Sequence, residues 1–411
     1  MAWADDVPST FSLGGLVDFR LRDNQDNSSR LPAKLQRGEP KISAASVTAV
    51  VSVEVWEGPL MLVSQVRGRS QSVADRWQAQ ADVDELYVEY ALSDERFLHL
   101  SRRNIVFGQA YGVNPLDVFL DPLELDHSLN ESRRRREVPG QDMLGFEALY
   151  GDVFTVSGYW APATVALNSD APQRALLAGE FLLPQWNADF TLLLFEDERR
   201  GAGLSWSTTL DDAVLVYGDM TLRQGRDRAG VQADVGVDPC SASPPSGLIT
   251  HSRDVDRLYS QASVGFSATA ESGAMVNFEY YYDANGYSDS EWGEIACLIA
   301  NNSAKERGGS GNPSAGNLLR IGQLLAPSTL RQHYGFIRAW QPDLFDLGIE
   351  AETTLFHGLV DNSGILSLRF EHAESNLLIG VWGSYSYGQG LDEFALRGEG
   401  LSGAVYVTVN F

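Results

Sequence analysis

Apolar and polar residues alternate along most of this chain. In the final stretch, GLSGAVYVTVNF, Gly403, Val405, Val407, Val409 and Phe411 share one face, and Ala404, Tyr406, Thr408 and Asn410 share the other. Strict period two marks a strand with one apolar face. The same alternation sets Phe11, Leu13, Val17, Phe19 and Leu21 against Ser12, Asp18, Arg20 and Arg22. It sets Val47, Ala49, Val51, Val53 and Val55 against Ser46, Thr48, Ser52 and Glu54, and Val276, Phe278, Tyr280 and Tyr282 against Asn277, Glu279 and Tyr281. Continued along the chain, the pattern predicts eighteen strands, near 10–22, 42–56, 59–69, 83–93, 96–106, 141–149, 153–162, 174–183, 187–196, 201–209, 213–224, 257–269, 274–283, 331–341, 345–357, 363–373, 376–387 and 401–411.

The connections alternate in length. Those after even strands are short (EGP, SDE, GD, PQW, LDD, AESG, QPDL, AES), whereas those after odd strands are mostly long, notably 23–41, 70–82, 107–140, 225–256, 284–330 and 388–400. Short periplasmic turns and long extracellular loops are the rule for transmembrane β-barrels, and a soluble sandwich has no reason to obey it. The expected fold is therefore all-β: a transmembrane antiparallel barrel of about eighteen strands, with sixteen the next count, and both termini in the periplasm. Trp56, Trp160, Trp340, Tyr385 and Tyr387 fall near strand ends, where aromatic girdles form. The C-terminal strand, closing on Phe411, resembles the assembly signal of bacterial outer-membrane barrels. That resemblance implies the barrel-assembly machinery as a partner.

Hydropathy does not oppose this. No run approaches ~20 apolar residues, which excludes a membrane-crossing helix but not a barrel. The chain has 411 residues and a formal net charge of −24, which argues against nucleic acid as a partner. Ala2-Trp3-Ala4 fits a signal-peptidase site, so residues 1–4 are read as the remnant of a processed leader and 5–411 as a single barrel domain in the outer membrane. The two cysteines, Cys240 and Cys297, lie in long Gly/Pro/Ser-rich segments, which suits one disulfide in an oxidising compartment.

A barrel this wide cannot be filled by side chains and encloses an aqueous lumen. Period two places Arg20, Arg22, Arg67 and Arg69 inside, followed by Arg102 and Arg103 where the alternation blurs, while later strands contribute Glu279, Glu350, Glu352, Arg369 and Glu371. An arginine arc facing a glutamate arc would orient charged solutes and bias ion selectivity. The alternative is that these residues form ordinary cross-strand pairs.

The third long loop, FGQAYGVNPLDVFLDPLELDHSLNESRRRREVPG, is too long for a hairpin connection and carries Val113, Leu116, Val118, Phe119, Leu120, Leu123 and Leu125, which a loop extended into water would not favour. A loop folded into the barrel would. The segment LSRRNIVFGQAYGVNPLDVF is similar to one in the uncharacterised porin and alginate-export-like families of about eighteen strands, and the whole pattern resembles bacterial porins. That resemblance implies an inward third loop forming a constriction, with Asp117, Asp121, Glu124, Asp126 and Arg133, Arg134, Arg135 and Arg136 in or near it. The competing reading keeps the four arginines at the outer rim, against lipopolysaccharide phosphates and outer-membrane lipid or paired with Glu131 and Glu137.

No nucleophile, metal or phosphate-loop motif is present, and the six histidines are scattered. The expectation is a non-enzyme without cofactor: a channel for passive diffusion of small hydrophilic, charged solutes. A dedicated exporter of a polysaccharide or lipid-like substrate with periplasmic partners is the alternative, and a structural or adhesin barrel the third. A homo-oligomer is left open. Loop 284–330, with a helix-like LLRIGQLL at 318–325, suggests a partial lid.

Overall fold

The computed structural model describes residues 10–26, 44–73, 76–118, 140–163, 173–197, 199–211, 213–226, 228, 230–232, 249–251, 256–307, 321, 325, 329–396 and 399–411. Eighteen strands form one sheet that closes on itself. They are β1 (Thr10–Asp26), β2 (Ala44–Glu57), β3 (Leu60–Val73), β4 (Arg76–Ser93), β5 (Arg96–Arg103), β6 (Gln141–Tyr150), β7 (Phe154–Ala161), β8 (Arg174–Leu183) and β9 (Ala188–Glu196). The second half comprises β10 (Arg200–Asp211), β11 (Val214–Gln224), β12 (Leu258–Thr269), β13 (Met275–Asp283), β14 (His333–Gln341), β15 (Ile349–Gly358), β16 (Gly364–Glu374), β17 (Leu377–Tyr387) and β18 (Glu399–Asn410). Each pairs antiparallel with its chain neighbours, and β18 closes the ring on β1, so Arg20 stands between Ser46 and Tyr406. At the seam the Phe411 N–H donates to the Gly15 carbonyl (3.0 Å) and the Gly15 N–H to the Phe411 carbonyl (3.1 Å). Closure removes the sheet edges that would otherwise be left unsatisfied in lipid.

All eighteen expected strands are present; β4 begins at Arg76, seven residues before the expected 83, and the other ends differ by four residues or fewer. Register confirms the facing read from alternation: Leu98 and Leu100 on β5 are 43% and 64% exposed, while His99 between them is buried. The same holds for Val264 and Phe266 against Ser263 and Ser267 on β12. The outer wall is thus apolar and the inner wall polar, the division a bilayer-spanning barrel requires. No described helix is long and apolar enough to cross a membrane; the crossing elements are strands.

Aromatic girdles mark both ends. At the short-turn end Tyr150, Phe154 and Phe181 stack in series, with centroids 5.7 and 4.5 Å apart. At the long-loop end Trp160, Tyr385 and Tyr387 point outward, and His357 hydrogen-bonds Tyr387 (2.8 Å). Trp56 and Trp340 do not join a girdle, because register puts them on the inner face beside Glu54 and Arg338.

The long loops also build structure. Helix α1 (Asp289–Arg307) buries Trp292, Ile295, Leu298 and Ile299 against Tyr287, Ile321, Leu330 and Leu396. Its start is a capping box: the Glu291 N–H donates to Ser288 Oγ (3.3 Å), and the Ser288 N–H to Glu291 Oε2 (3.0 Å). A short helix, α2 (Glu393–Leu396), docks beside it, with buried Glu393 accepting from the Leu330 N–H (2.8 Å) and the Tyr334 hydroxyl (2.7 Å). The main helix of the 284–330 loop therefore lies upstream of the expected 318–325, of which the described residues are Ile321 and Leu325, joined by one helical hydrogen bond (3.0 Å). Cys297 lies in α1 and is disulfide-bonded; Cys240 falls outside the described residues.

Candidate functional site: a loop clasped across the lumen

Immediately after β5 the chain turns into the barrel. Ile105, Phe107, Leu116 and Val118 pack on Met143, Tyr159, Leu176, Leu193 and Phe195 from the inner faces of β6–β9. Tyr111 and Val113 pack on Tyr281, Tyr334, Phe336 and Phe356 from β13–β15. One short segment therefore touches two separated arcs of the wall. Of the apolar loop residues that would be costly in water, Val113, Leu116 and Val118 pack here, while Phe119, Leu120, Leu123 and Leu125 lie outside the described residues.

Between these contacts the backbone is held by two carboxylates. Asp219 on β11 accepts from the Gln109 and Ala110 N–H groups on Oδ2 (2.8 Å each) and from Ser205 Oγ on Oδ1 (2.6 Å). Glu279 on β13 accepts from the Tyr111 N–H on Oε1 (2.6 Å), the Gly112 N–H on Oε2 (2.9 Å) and the Tyr217 hydroxyl on Oε1 (2.8 Å). Both carboxylates are 1% exposed. A buried charge is tolerated only where donors replace water, and the loop backbone supplies four of them. Each charge-assisted bond contributes about 1.5–3 kcal/mol, against roughly 1–2 kcal/mol for fixing one residue's backbone, so ordering 109–112 is favourable.

Two glycines let the backbone approach this closely. Gly108 has φ +88°, and a Cβ there would lie 2.9 Å from Asp219 Oδ2; at Gly112 it would meet Phe336 Cγ at 2.7 Å. Asn114 finishes the turn, its side chain donating to the Phe107 carbonyl (2.5 Å) and accepting from the Leu116 N–H (2.9 Å).

The clasp makes the lumen lopsided. Inner residues of β11–β13 (Tyr217, Asp219, Asn277, Asp283) are fully buried, whereas Arg69, Arg76, Gln78 and Gln80 on β3 and β4 are exposed. The open water-filled side runs along the early strands.

The expected lumen residues distribute as follows. Arg20, on β1, lies over the Tyr406 ring (5.3 Å) and 3.7 Å from Asp18. Arg67 grips buried Asp84 through Nε and Nη2 (2.8 Å each), and Arg69 faces the open side. Arg102 is a correction. Strict alternation continues through Ser101, so adjacent arginines on an unbulged segment cannot share a face. Arg103 takes the lumen, donating to the Tyr159 hydroxyl (3.0 Å). Arg102 falls on the outer face with Leu98 and Leu100 and pairs with Asp142 (2.7 and 2.6 Å). Glu350, Glu352, Arg369 and Glu371 do come together: Arg369 Nη2 reaches Glu352 (2.8 Å) and Glu350 (3.4 Å), its Nε lies 3.9 Å from Glu371, and Arg338 adds a second bond to Glu352 (2.7 Å). The late-strand arc is thus a cross-strand ion-pair belt rather than a bare row of glutamates. Glu279 anchors the loop. Asp117 sits at the described end of the inward segment, half-buried. Asp121, Glu124, Asp126 and Arg133–Arg136 lie outside the described residues. Asp219 and Tyr217 have inward parity, but the loop amides on Asp219 stand 110 and 109 residues away in sequence and Glu279, the partner of Tyr217, 62.

No family model matches the sequence, and no curated protein matches it. Solved structures do. OccK9 (OpdG) of Pseudomonas aeruginosa superposes with TM-score 0.55 at 10% identity, covering 98% of each chain. OccK2 (OpdF) of the same organism, solved in complex with glucuronate, gives 0.54 at 10% identity, again over 98% of each chain. The outer membrane protein opdK of P. aeruginosa gives 0.53 at 8% identity, over 97% of this chain and 99% of that one. The likeness establishes a shared barrel fold. The alginate-export side of the resemblance finds no support in these structures.

Proposed function

We propose that this protein is a passive channel of the bacterial outer membrane, admitting small hydrophilic anions through an off-centre lumen narrowed by the clasped third loop. The observation that carries the reading is the asymmetry of the lumen. The loop covers the wall of β11–β13, and the inner faces of β1–β5 carry Arg20, Arg22, Arg69, Arg76 and Arg103 beside Asp18, Glu54, Asp82, Glu85 and Glu89, with Arg69 and Arg76 the exposed ones and Arg67 buried on Asp84. Exposed charge of one sign along a narrow passage concentrates ions of the other sign. Carboxylates fit arginine forks well, and a structural neighbour bound to glucuronate supports that class.

The outer-membrane setting is supported by the apolar outer wall and by the fold shared with a named outer membrane protein. In that setting the short turns face the periplasm and α1 faces outside. β18, with Phe411 following it, is the contact we assign to the assembly machinery. Lipopolysaccharide is the outer-leaflet neighbour. The Cys240–Cys297 pairing is assigned because the chain has no other cysteine. Nothing among the described lumen residues favours the exporter reading.

Liposome swelling tests the proposal. Vesicles carrying the protein should admit sugar acids faster than neutral sugars of equal size, and Arg69→Gln should narrow the difference. Swelling no faster than in protein-free vesicles would overturn the reading.

A further inference from the structure

Most of the described inner wall has its polar groups engaged. The carboxylates of β11–β13 hold the loop, the charges of β14–β16 pair with one another, and β6–β9 pack against the loop's apolar side chains. The long-loop half of β2–β4 is different. Register sets two adjacent cross-strand rows on its inner face, Ser46–Gln71–Gln78 and Thr48–Arg69–Gln80. With strands about 4.8 Å apart and same-face residues about 7 Å apart along a strand, the six span roughly 10 Å by 7 Å. Arg69, Gln78 and Gln80 are exposed, and Ser46, Thr48 and Gln71 are half-buried. Among the described residues, the side chains of Ser46, Thr48, Arg69, Gln71 and Gln78 make no hydrogen bond or ion pair. Gln80 is oriented by one bond, its Nε2 donating to Asp82 Oδ1 (3.0 Å), which leaves its Oε1 and second amide hydrogen unspent. Leu86 pairs with Arg102, and Gln78 and Gln80 precede Leu86 on β4, so the patch lies on the long-loop side of the point where the chain leaves β5.

We propose that Gln71, Gln78 and Gln80 are specificity-determining residues: with Arg69 they form a subsite at the long-loop mouth that selects polyhydroxylated carboxylates over bare ones of the same charge. The inference rests on the channel reading above and adds a preference that charge alone cannot give. A guanidinium takes a carboxylate in its fork whatever the rest of the solute carries. An amide is neutral and presents donors and an acceptor together, which matches a hydroxyl, itself both donor and acceptor. Ser46 and Thr48 add hydroxyls of the same dual kind. A hydroxylated acid seated with its carboxylate on Arg69 exchanges bonds to water for bonds to the neighbouring amides. A bare acid in the same seat lays methylene groups over those amides and displaces their water without replacing its bonds, which costs free energy. The carboxylates that border the patch are themselves engaged. Asp18 accepts from Thr408 (2.8 Å) and lies 3.7 Å from Arg20, and Asp82 accepts from Gln80, so Arg69 and Arg76 remain the exposed charges there.

Glucarate and adipate test this, since both are six-carbon dicarboxylates and they differ in their hydroxyls. Each is titrated against the potassium chloride current of the parent in planar bilayers. Glucarate should reach half-block at a concentration about fivefold or more below that of adipate. Gln71→Leu, Gln78→Leu and Gln80→Leu combined should bring the two acids within about twofold of each other, while the reversal potential in potassium chloride stays parental because no charge changes. Equal block by the two acids in the parent, or an undiminished preference in the combined variant, overturns the proposal. Should the combined variant fail to fold, Gln78→Leu and Gln80→Leu singly carry the test, and a parental preference in both overturns it. Calorimetric titration of the parent in detergent reads the subsite without conduction: glucarate must bind more tightly than adipate, and equal affinities overturn the proposal. Absence of any conductance in the parent counts against the channel reading instead, and the calorimetric comparison then decides the subsite on its own.

Discussion

Asp219 and Glu279 do at the scale of single residues what most lumen acids do not: they bind the protein's own backbone. Asp219→Asn keeps the shape and removes the charge, so its bonds to Gln109 and Ala110 weaken from charge-assisted to ordinary. Single-channel recordings of Asp219→Asn or Glu279→Gln should show a noisier open level with a larger mean conductance, and the double variant should exceed either. Quiet, parental currents from the double variant would mean that the apolar contacts alone hold the loop. Gly112→Ala should act in the same direction, since its Cβ has no room beside Phe336. Arg67 is a different case. Removing it leaves Asp84 buried without its arginine, so Arg67→Met should lower resistance to denaturant by on the order of 3 kcal/mol, whereas Arg69→Met, on the open side, should cost far less.

Among the elements, the third loop and the outer cap are the parts with a choice of position. The loop's apolar residues announced an inward fold in the sequence, because seven of them in a surface connection have no other stable place. The clasp was not legible: hydrogen bonds from Tyr111 to Glu279 span 168 residues, and no local pattern encodes them. Arg102 and Arg103 show the opposite limit, since one more observed residue of alternation separates an outer ion pair from a lumen cation. The cap hid its helix because α1 mixes Gly293, Asn301 and Asn302 with its apolar residues, although Ser288 and Glu291 carry the capping-box spacing. That box has a pH consequence. Burial acts to raise the Glu291 carboxyl, but hydrogen bonds from Arg226 and Ser288 outweigh it and hold the group below the usual glutamate range. A lowered folded value means its stabilisation is complete above the ordinary glutamate range and is lost as pH falls through the folded value. Limited proteolysis of the cap should therefore accelerate below about pH 4 in the parent, and Glu291→Gln should be cut faster at neutral pH with little further change on acidification.

For the molecule as a whole, the strand count, the facing of nearly every strand and the alternation of short and long connections were legible because each follows from period two and from the requirement that a bilayer imposes on its outer wall. What required three dimensions was the shape of the hole. Inward parity gives every strand an equal claim on the lumen, but the loop occupies one side, the ion pairs of β14–β16 neutralise another, and the mixed wall of β1–β5, on which Arg69 and Arg76 are exposed, lines the remainder. The central claim is that this remainder conducts and that it prefers anions. Reversal potential and single-channel current in planar bilayers under a potassium chloride gradient test both at once. The account predicts discrete conductance steps with a reversal potential on the chloride side, moved toward potassium by Arg69→Gln; absence of steps, or a parent channel that reverses on the potassium side, would contradict it.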